Sequence, residues 1–235
     1  MRTLEAARGR GRDDYPVRAM WNSVLAGIVF QHPTIESLRR ELSRNGQLRV
    51  LCVFAGPHAP PASVYTRFLR RVMDQLPMIA ALFDRLVDAV SDVLPDFGAR
   101  LAVDSKALRS WASYPARDST PDGRRDWDAD YGKKDYRGQR ADGTMWSQET
   151  TWFGYKIHLI VDATYELPVA WTVTKASTAD VTEAAPLLQP RQTRHPLILQ
   201  SAKFFAGDRG YDDTKLVTLC WDTYPVKPVI DIRNM

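Results

Sequence analysis

The sequence predicts an α+β fold in which a helical N-terminal region precedes a mixed β-sheet with flanking helices. Up to about residue 94, apolar residues recur at the spacing of amphipathic helices. From residue 101 onward, short apolar runs typical of strands alternate with helical segments, in the order β–β–β–α–β–α–β. An antiparallel meander followed by βαβ units forms a mixed sheet with helices packed on it.

Three regions are expected along the chain. Residues 1–14 are polar and rich in Arg and Gly, which predicts a flexible arm. Residues 15–97 are expected to form a helical domain that binds DNA, and residues 98–235 the sheet domain. Four helices are predicted in the helical domain, from MWNSVLAGIVF, TIESLRRELSRNG, PPASVYTRFLRRVMDQL and MIAALFDRLVDAVSDVL. The second should begin near Thr34 and stop at Asn45-Gly46.

Five strands are predicted in the sheet domain: LAVDSKAL (101–108), YKIHLIVDA (155–163), LPVAWTVTKA (167–176), KFFAGD (203–208) and KPVIDIR (227–233). Helices are expected after Asp180 and over residues 212–224. Residues 112–150 form a polar insertion dotted with aromatic residues and without sustained periodicity. A segment of this length between strands is expected to be either functional or mobile.

Charge and cysteine content exclude some classes of protein. The net charge is +4 with a pI near 9.1, and residues 1–103 hold 14 Arg, no Lys and 10 acidic residues. A basic first half is compatible with a polyanionic partner, although a GC-rich gene explains the Arg bias equally well. Cys52 and Cys220 both lie in apolar runs, so neither a disulfide framework nor a thiolate metal site is predicted. No secretory signal or membrane-spanning run is visible, so a cytoplasmic location is expected.

Asp104 in LAVDS and Asp208 in FAGDRGY each follow an apolar, strand-like run. Taken singly, each is more typical of a turn or a helix cap. On neighbouring strands the two carboxylates would converge, and such a pair suits Mg²⁺ or Mn²⁺ because like charges need a cation between them. Paired ions can cleave a phosphodiester. Paired carboxylates also hydrolyse glycosides, but no aromatic sugar groove is readable and the Arg excess favours phosphate.

The residues resemble bacterial insertion-sequence transposases of the DDE type, which belong to the ribonuclease-H-like, retroviral-integrase superfamily. The resemblance rests on GYK-x-H-x-x-x-D, A-S-x-A-D and A-G-D-R-G-Y in this order, and it covers nearly the whole chain. It implies a ribonuclease-H-like core in which Asp104 and Asp208 are catalytic, metal-ligating carboxylates with Mg²⁺ or Mn²⁺ as cofactor. The implied reaction releases a DNA 3′-hydroxyl, which then attacks target DNA. The implied partners are double-stranded DNA, as terminal repeats and target, and further copies of the chain, in the nucleoid.

The family pattern also requires a third acid, a glutamate on a later helix, and here the sequence departs from it. The last glutamate is Glu183, which precedes Asp208. The acids after Asp208 are Asp212, Asp213, Asp222 and Asp231, and none fits the third role. A core that is incomplete at the C-terminus is therefore expected. One alternative function is a non-catalytic, DNA-binding transposase remnant that acts as a binder or inhibitor; a weaker one is a nuclease using two aspartates alone.

Several other residues are weaker candidates for DNA contact. Lys156 and His158 lie two apart on one strand face, near the predicted metal site, although a solvated face is an equal interpretation. In the insertion, charge and interleaved aromatic residues could follow a DNA strand, or the segment could be a mobile loop; its candidates are Lys133, Lys134 and Arg137. On the third predicted helix the candidates for phosphate contact are Arg67, Arg70 and Arg71. Asp180 is expected to cap the next helix rather than to act in chemistry.

Overall fold

The computed structural model describes residues 2–8, 14–112, 114 and 126–232. The chain divides into two compact units, Met1–Phe83 and Asp84–Met235. The first unit contains the helices α1 (Arg2–Arg8), α2 (Val17–Val29), α3 (Ile35–Arg44), α4 (Gly46–Leu51) and α5 (Ala62–Met73). Helix α6 (Leu76–Val93) begins in the first unit and ends in the second.

The helices of the first unit form because each contributes an apolar stripe to one core. The larger side chains buried in this core include Leu4, Met20, Leu38, Leu42, Tyr65 and Phe68. Burial of such side chains contributes about 1.5–3 kcal/mol each. The four helices predicted from the sequence are all present.

Two local features of the first unit differ from expectation. Residues Arg2–Arg8 are helical and Leu4 is 2% exposed, because this helix covers the end of the apolar core. Residues 9–13 of the expected arm lie outside the described residues. Asn45 does end α3, but its side chain also accepts a hydrogen bond from Leu48 N (2.9 Å) and so begins α4.

The second unit is built on one six-stranded mixed sheet. Its strands are β1 (Arg100–Arg109), β2 (Asp130–Gln139), β3 (Met145–Asp162), β4 (Leu167–Lys175), β5 (Phe204–Gly207) and β6 (Lys227–Ile230). Its further helices are α7 (Val181–Arg194), α8 (Pro196–Ser201) and α9 (Thr214–Asp222). The C-terminal half of β3 lies between β4 and β1, and the order across the sheet is β4-β3-β1-β5-β6.

Strand direction divides the sheet into two parts. β3 is antiparallel to both β1 and β4, whereas β1, β5 and β6 are parallel. The parallel crossovers carry α7 and α8 between β4 and β5, and α9 between β5 and β6. An α+β arrangement with a meander followed by βαβ units was predicted, and this coarse prediction is confirmed.

The predicted insertion contains a β-hairpin that the sequence pattern did not indicate. Strand β2 pairs with Met145–Gly154 of β3, so β3 extends ten residues before Tyr155, where it was expected to begin. The alternation of strand residues was hidden because both faces of the hairpin are largely polar and exposed. Residues 113 and 115–125 of the insertion lie outside the described part of the chain.

The helices cover one face of the sheet. Leu101 and Phe205 point to this face, where they pack with Leu188 of α7, Leu199 of α8 and Cys220 of α9. Side chains on a strand alternate between faces, so Asp104 lies on the other face, where it is exposed. No helix in the described residues is long and apolar enough to cross a membrane.

Candidate active site

Asp104 and Asp208 lie side by side. β1 and β5 are parallel with Val103 opposite Gly207; Asp104 is the next residue of β1, and Asp208 directly follows the end of β5. The spacing of neighbouring strands puts their Cα atoms about 5 Å apart. Asp104 is in mid-strand, since β1 continues to Arg109, whereas β5 ends at Gly207 and Asp208 follows it. Both side chains are exposed.

The local backbone holds one oxygen of each carboxylate. Asp104 Oδ1 accepts a hydrogen bond from Ser105 N (2.7 Å), and Asp208 Oδ1 accepts one from Gly210 N (2.8 Å). The second bond starts a 3₁₀ turn, Arg209–Tyr211. A Cβ at Gly210 would lie 2.8 Å from that oxygen, so glycine allows the close approach. Within the described residues, neither carboxylate forms an ion pair.

Asp180 is a third carboxylate close to this pair, and its negative charge is balanced by an ion pair with Lys156. Lys156 Nζ lies 2.9 Å from Asp180 Oδ1 and also donates to Thr178 O (2.8 Å). No described backbone amide donates to the Asp180 side chain, which differs from the expected helix cap. The loop before α7 places Asp180 over Lys156, and the ammonium group takes the place of the expected amides.

His158 is fully buried beneath Asp180. Its Nε2 is 2.8 Å from Thr174 Oγ1, and its Nδ1 is 3.9 Å from Asp180 Oδ1. Burial lowers the pKa of His158, and the Asp180 carboxylate opposes that shift. A ring with no exposed surface cannot reach DNA, so the predicted DNA contact does not fit His158. Its geometry suits positioning of Asp180 instead.

Tyr211 lies within the field of all three carboxylates. Its side chain is 1% exposed, and its Cβ lies against Gly207 at the end of β5. The hydroxyl is buried beside Ser105, without a hydrogen bond of good geometry in the described residues. Burial, followed by the charges of Asp180, Asp104 and Asp208, raises the pKa of Tyr211. The phenol therefore stays neutral beside the acids.

A groove of about 480 Å³ opens beside Asp208 and runs toward the hairpin. Its walls contain two carboxylates, Asp180 and Asp208, and five cationic side chains, namely Lys106, Arg109, Lys133, Lys134 and Lys156. Tyr136 and Trp152 also line it. The net charge of the lining is therefore +3, which attracts an anion.

The family model for the transposase DDE domain matches residues 100–232, which begins with β1 and includes Asp104 and Asp208. The chain belongs to the DDE transposase family. The resemblance carried by the sequence motifs is thereby confirmed. No curated protein and no solved structure matches the chain.

The carboxylates of this DDE domain fit a divalent cation in donor chemistry. Members of the family generally use divalent metal, and carboxylate oxygens are the ligands that Mg²⁺ and Mn²⁺ prefer. Two adjacent, exposed aspartates without a cationic partner would repel each other, and a bound cation relieves that repulsion. In the described ranges no group of three acidic, His or Cys side chains is arranged to hold a metal ion.

The other predicted DNA contacts in the DDE domain have different environments. Lys133 is paired with Glu149 (2.5 Å) and Asp135 (3.9 Å), which neutralise it in part. Lys134 is exposed, with its ammonium 5.7 Å from the centre of the Tyr136 ring. Arg137 lies on β2, but its side chain is outside the described part of the structure.

The predicted phosphate contacts of α5 lie in the first unit. Arg67 and Arg70 are exposed and Arg71 is half-buried. Sequence reasoning missed Lys106, Arg109 and the acid-facing position of Tyr211. The alternation of side chains along β1 could have predicted Arg109, because Arg109 lies on the same face as Ser105 and Ala107, which also line the groove.

Proposed function

We propose that this chain is the transposase of a bacterial insertion sequence and that it catalyses metal-dependent cleavage and transfer of DNA strands. The observation that carries the proposal is the strand register that sets Asp104 beside Asp208 in an exposed position. Asp104 and Asp208 would hold Mg²⁺ or Mn²⁺. Each keeps one oxygen fixed by a backbone amide and leaves the other available.

The strand order supports a ribonuclease-H-like core. Three antiparallel strands, β4, β3 and β1, are followed by two parallel strands, β5 and β6, which are reached through helical crossovers. Acids on the central strand and on its parallel neighbour then meet at one point of the sheet. This is the placement that the DDE resemblance requires for its first two acids.

The residues of the chain have separate parts in this chemistry. When bound, divalent ions supply an activated water and stabilise the leaving oxygen of a phosphodiester. Asp104 and Asp208 would hold these ions, and the exposure of both side chains leaves room for a polymer. Lys156 holds a positive charge in the groove but is kept in place by Asp180. The neutral Tyr211 phenol adds no charge beside the acid pair.

The proposed partner is double-stranded DNA, as terminal repeats and as target. The +3 lining of the groove supports a polyanion, and the exposed Arg67 and Arg70 of the first unit are candidates for phosphate contact. Assembly of several copies on DNA, in the nucleoid, belongs to the same proposal. Cross-linking with and without plasmid DNA would test the assembly.

Metal binding and DNA nicking test the proposal together. We expect Mn²⁺ to bind the wild-type chain in calorimetry and to support nicking of supercoiled plasmid. Asp104→Asn and Asp208→Asn should each abolish nicking and weaken Mn²⁺ binding about tenfold or more, because one of two carboxylate ligands is lost. Asp222→Asn, an exposed aspartate at the end of α9, is the matched control and should behave as wild type. Equal Mn²⁺ binding by Asp208→Asn would reject the site.

A non-catalytic DNA-binding function is the second candidate. It is favoured by the lack of a three-ligand group in the described residues and by the neutralised state of Asp180. On this alternative, the chain retains plasmid binding in a gel-shift assay but does not nick in Mn²⁺ or Mg²⁺. Nicking that disappears in Asp104→Asn would reject it.

A further inference from the structure

We infer that the hairpin formed by β2 and residues Met145–Gly154 of β3 is an arm that binds one unpaired strand of DNA beside Asp208, in the groove that this residue lines. This inference rests on the proposed function, since it concerns the DNA that such a site would act on. It assigns a role to the segment between β1 and β3, and it names the side chains that would carry that role.

One face of the hairpin continues the groove beyond Asp180 and Asp208. Paired residues on antiparallel strands share a face, so Lys134 and Thr150 lie on the same side as Trp152 and Lys156. Tyr136 follows two residues after Lys134 and keeps that side. Arg109 of β1 joins them through its pairing with Gly154. These residues form a continuous wall of the groove.

Two glycines of β2 keep this wall flat. A Cβ at Gly132 would lie 2.4 Å from the Trp152 ring, and one at Gly138 would lie 2.6 Å from Trp146 Nε1. The two indole rings therefore lie directly against the backbone of β2. Packing of this kind stiffens a two-stranded ribbon, which is otherwise only marginally stable. The arm is thus built as a rigid surface rather than as a loose loop.

The charges of the groove are distributed unevenly. Lys156 and Lys133 are matched by carboxylates, at 2.9 Å and 2.5 Å respectively. Lys106, Arg109 and Lys134 have no carboxylate partner among the described residues. The uncompensated positive charge therefore lies on β1, at Lys106 and Arg109, and on the hairpin, at Lys134. Phosphate groups are the anions that a transposase domain would bring to it.

The dimensions of the groove favour a single strand. The part of β3 between Lys156 and Thr150 is about 20 Å long at the usual rise of a strand. Thr150 is paired with Lys134, so the groove wall extends over the same length. The groove volume of about 480 Å³ is in the range of a small-molecule site. A space of this size suits the backbone of one strand better than a duplex. Its route leads from the uncompensated cations to Asp208.

An exposed aromatic ring in the wall supplies a surface for a base. Tyr136 is 46% exposed and has the Lys134 ammonium 5.7 Å from its ring centre. Aromatic rings beside cations are the usual combination in sites for single-stranded nucleic acid, where bases stack and phosphates are neutralised. Tyr136 would stack on an unpaired base while Lys134 contacts the adjacent phosphate.

The test uses the full chain and a fluorescein-labelled DNA oligonucleotide of about twenty nucleotides, unpaired, in EDTA. Without divalent metal, binding is measured by fluorescence anisotropy independently of cleavage. We expect Lys134→Glu and Tyr136→Ala each to raise the Kd about tenfold. Lys134→Ala should also lower the slope of log K against log salt by about 0.7, as loss of one phosphate contact requires. A structural role alone would not change that slope.

Two controls separate the arm from the rest of the molecule. Lys227→Glu makes the same charge reversal on β6, at the strand end far from Asp208, and should leave the Kd within about twofold. Asp208→Asn should keep or strengthen binding of the single strand, because it removes a negative charge from the groove. A wild-type chain that binds the single strand but does not nick plasmid in Mn²⁺ or Mg²⁺ would therefore reject the proposed cleavage but support the arm.

Four results would overturn the inference. Wild-type affinity in both Lys134→Glu and Tyr136→Ala would exclude the hairpin face. An equal loss in Lys227→Glu would mean that only net charge matters. A duplex of the same sequence that competes as well as the single strand would contradict the unpaired substrate. An unpaired RNA of that sequence that binds about tenfold more tightly would reassign the arm to RNA. Unchanged circular dichroism melts would confirm that the two exposed substitutions leave the fold intact.

Discussion

Replacement of Gly154 by alanine should loosen the joint between the hairpin and the rest of the sheet. Gly154 is the residue of β3 that pairs with Arg109 of β1 and with Asp130 of β2. Its φ of 148° lies in a region that side chains disfavour, and an added Cβ would be 2.2 Å from Leu108 O and 2.6 Å from Ser110 N. Both neighbours are backbone atoms, so no rotamer change can relieve the contact.

The cost can be estimated from two contributions. Holding a residue with a side chain in such a φ region costs about 1–3 kcal/mol. Separation of the strands also breaks the nearby bond from Ser110 N to Phe153 O (2.9 Å), which contributes about 1 kcal/mol. The sum is about 2–4 kcal/mol. For a unit of the size of Asp84–Met235, this corresponds to a fall in Tm of about 4–16 °C.

Thermal melting by circular dichroism measures the fall, and hydrogen exchange locates it. We expect amides of β2 and of Met145–Gly154 to lose protection first, because they depend on the joint. Gly56→Ala is the matched control: a Cβ there meets no atom within 4 Å, and we expect a Tm change under about 2 °C. A Gly154→Ala chain that melts with wild type and keeps the hairpin amides protected would refute the reasoning on backbone strain.

Two further predictions concern buried groups. Burial lowers the pKa of His158, so the unfolded chain binds a proton near pH 6.5 while the folded ring stays neutral. The Tm of the wild type should therefore fall as the pH drops below about 6.5, and the Tm of His158→Gln should fall less. Thermal melts of both chains from pH 7.5 to 5 measure this difference. Equal slopes for both chains would contradict this. Tyr65 donates to Ser23 Oγ (2.9 Å), and burial raises its pKa to about 12. Tyr65→Phe should destabilise the first unit by about 1 kcal/mol in urea titrations, without a change in DNA affinity, because the Ser23 hydroxyl keeps its bond to Met20 O.

The sequence predicted those parts of the fold whose residues are buried on one face. The helices of the first unit and most strands of the second have apolar periodicity, and the structure has them where expected. Asp213, directly before α9, accepts a hydrogen bond from Leu216 N (3.1 Å), as an aspartate at a helix N-cap does. The local sequence is sufficient to predict a helix cap because the cap and the amide that it binds lie within one helical turn of each other.

The hairpin could not be predicted for the converse reason. Both of its faces are largely exposed, so the pattern that reveals strands is absent from residues 130–154. Asp180 shows a different limit. A single aspartate before a helix fits a cap equally well, and its pairing with Lys156 depends on a contact 24 residues away along the chain. The choice between a helix cap and an ion pair with Lys156 depends on the pairing of β3 with β4, which sets where Lys156 lies relative to the loop before α7.

The assignment of the two aspartates can be argued from how charge is shared among three neighbouring carboxylates. A carboxylate that already holds an ammonium at 2.9 Å gains little from a second cation, so Asp180 is a poor metal ligand as it stands. Asp104 and Asp208 lack such a partner among the described residues, and their exposure makes a bound ion accessible to a phosphate. Lys156 therefore has two consequences: at the proposed metal site it would remove Asp180 from competition for the ion, and it keeps one positive charge in the groove next to Asp208. The chemistry of the proposed site therefore depends more on which carboxylates lack an ammonium partner than on how many carboxylates are present.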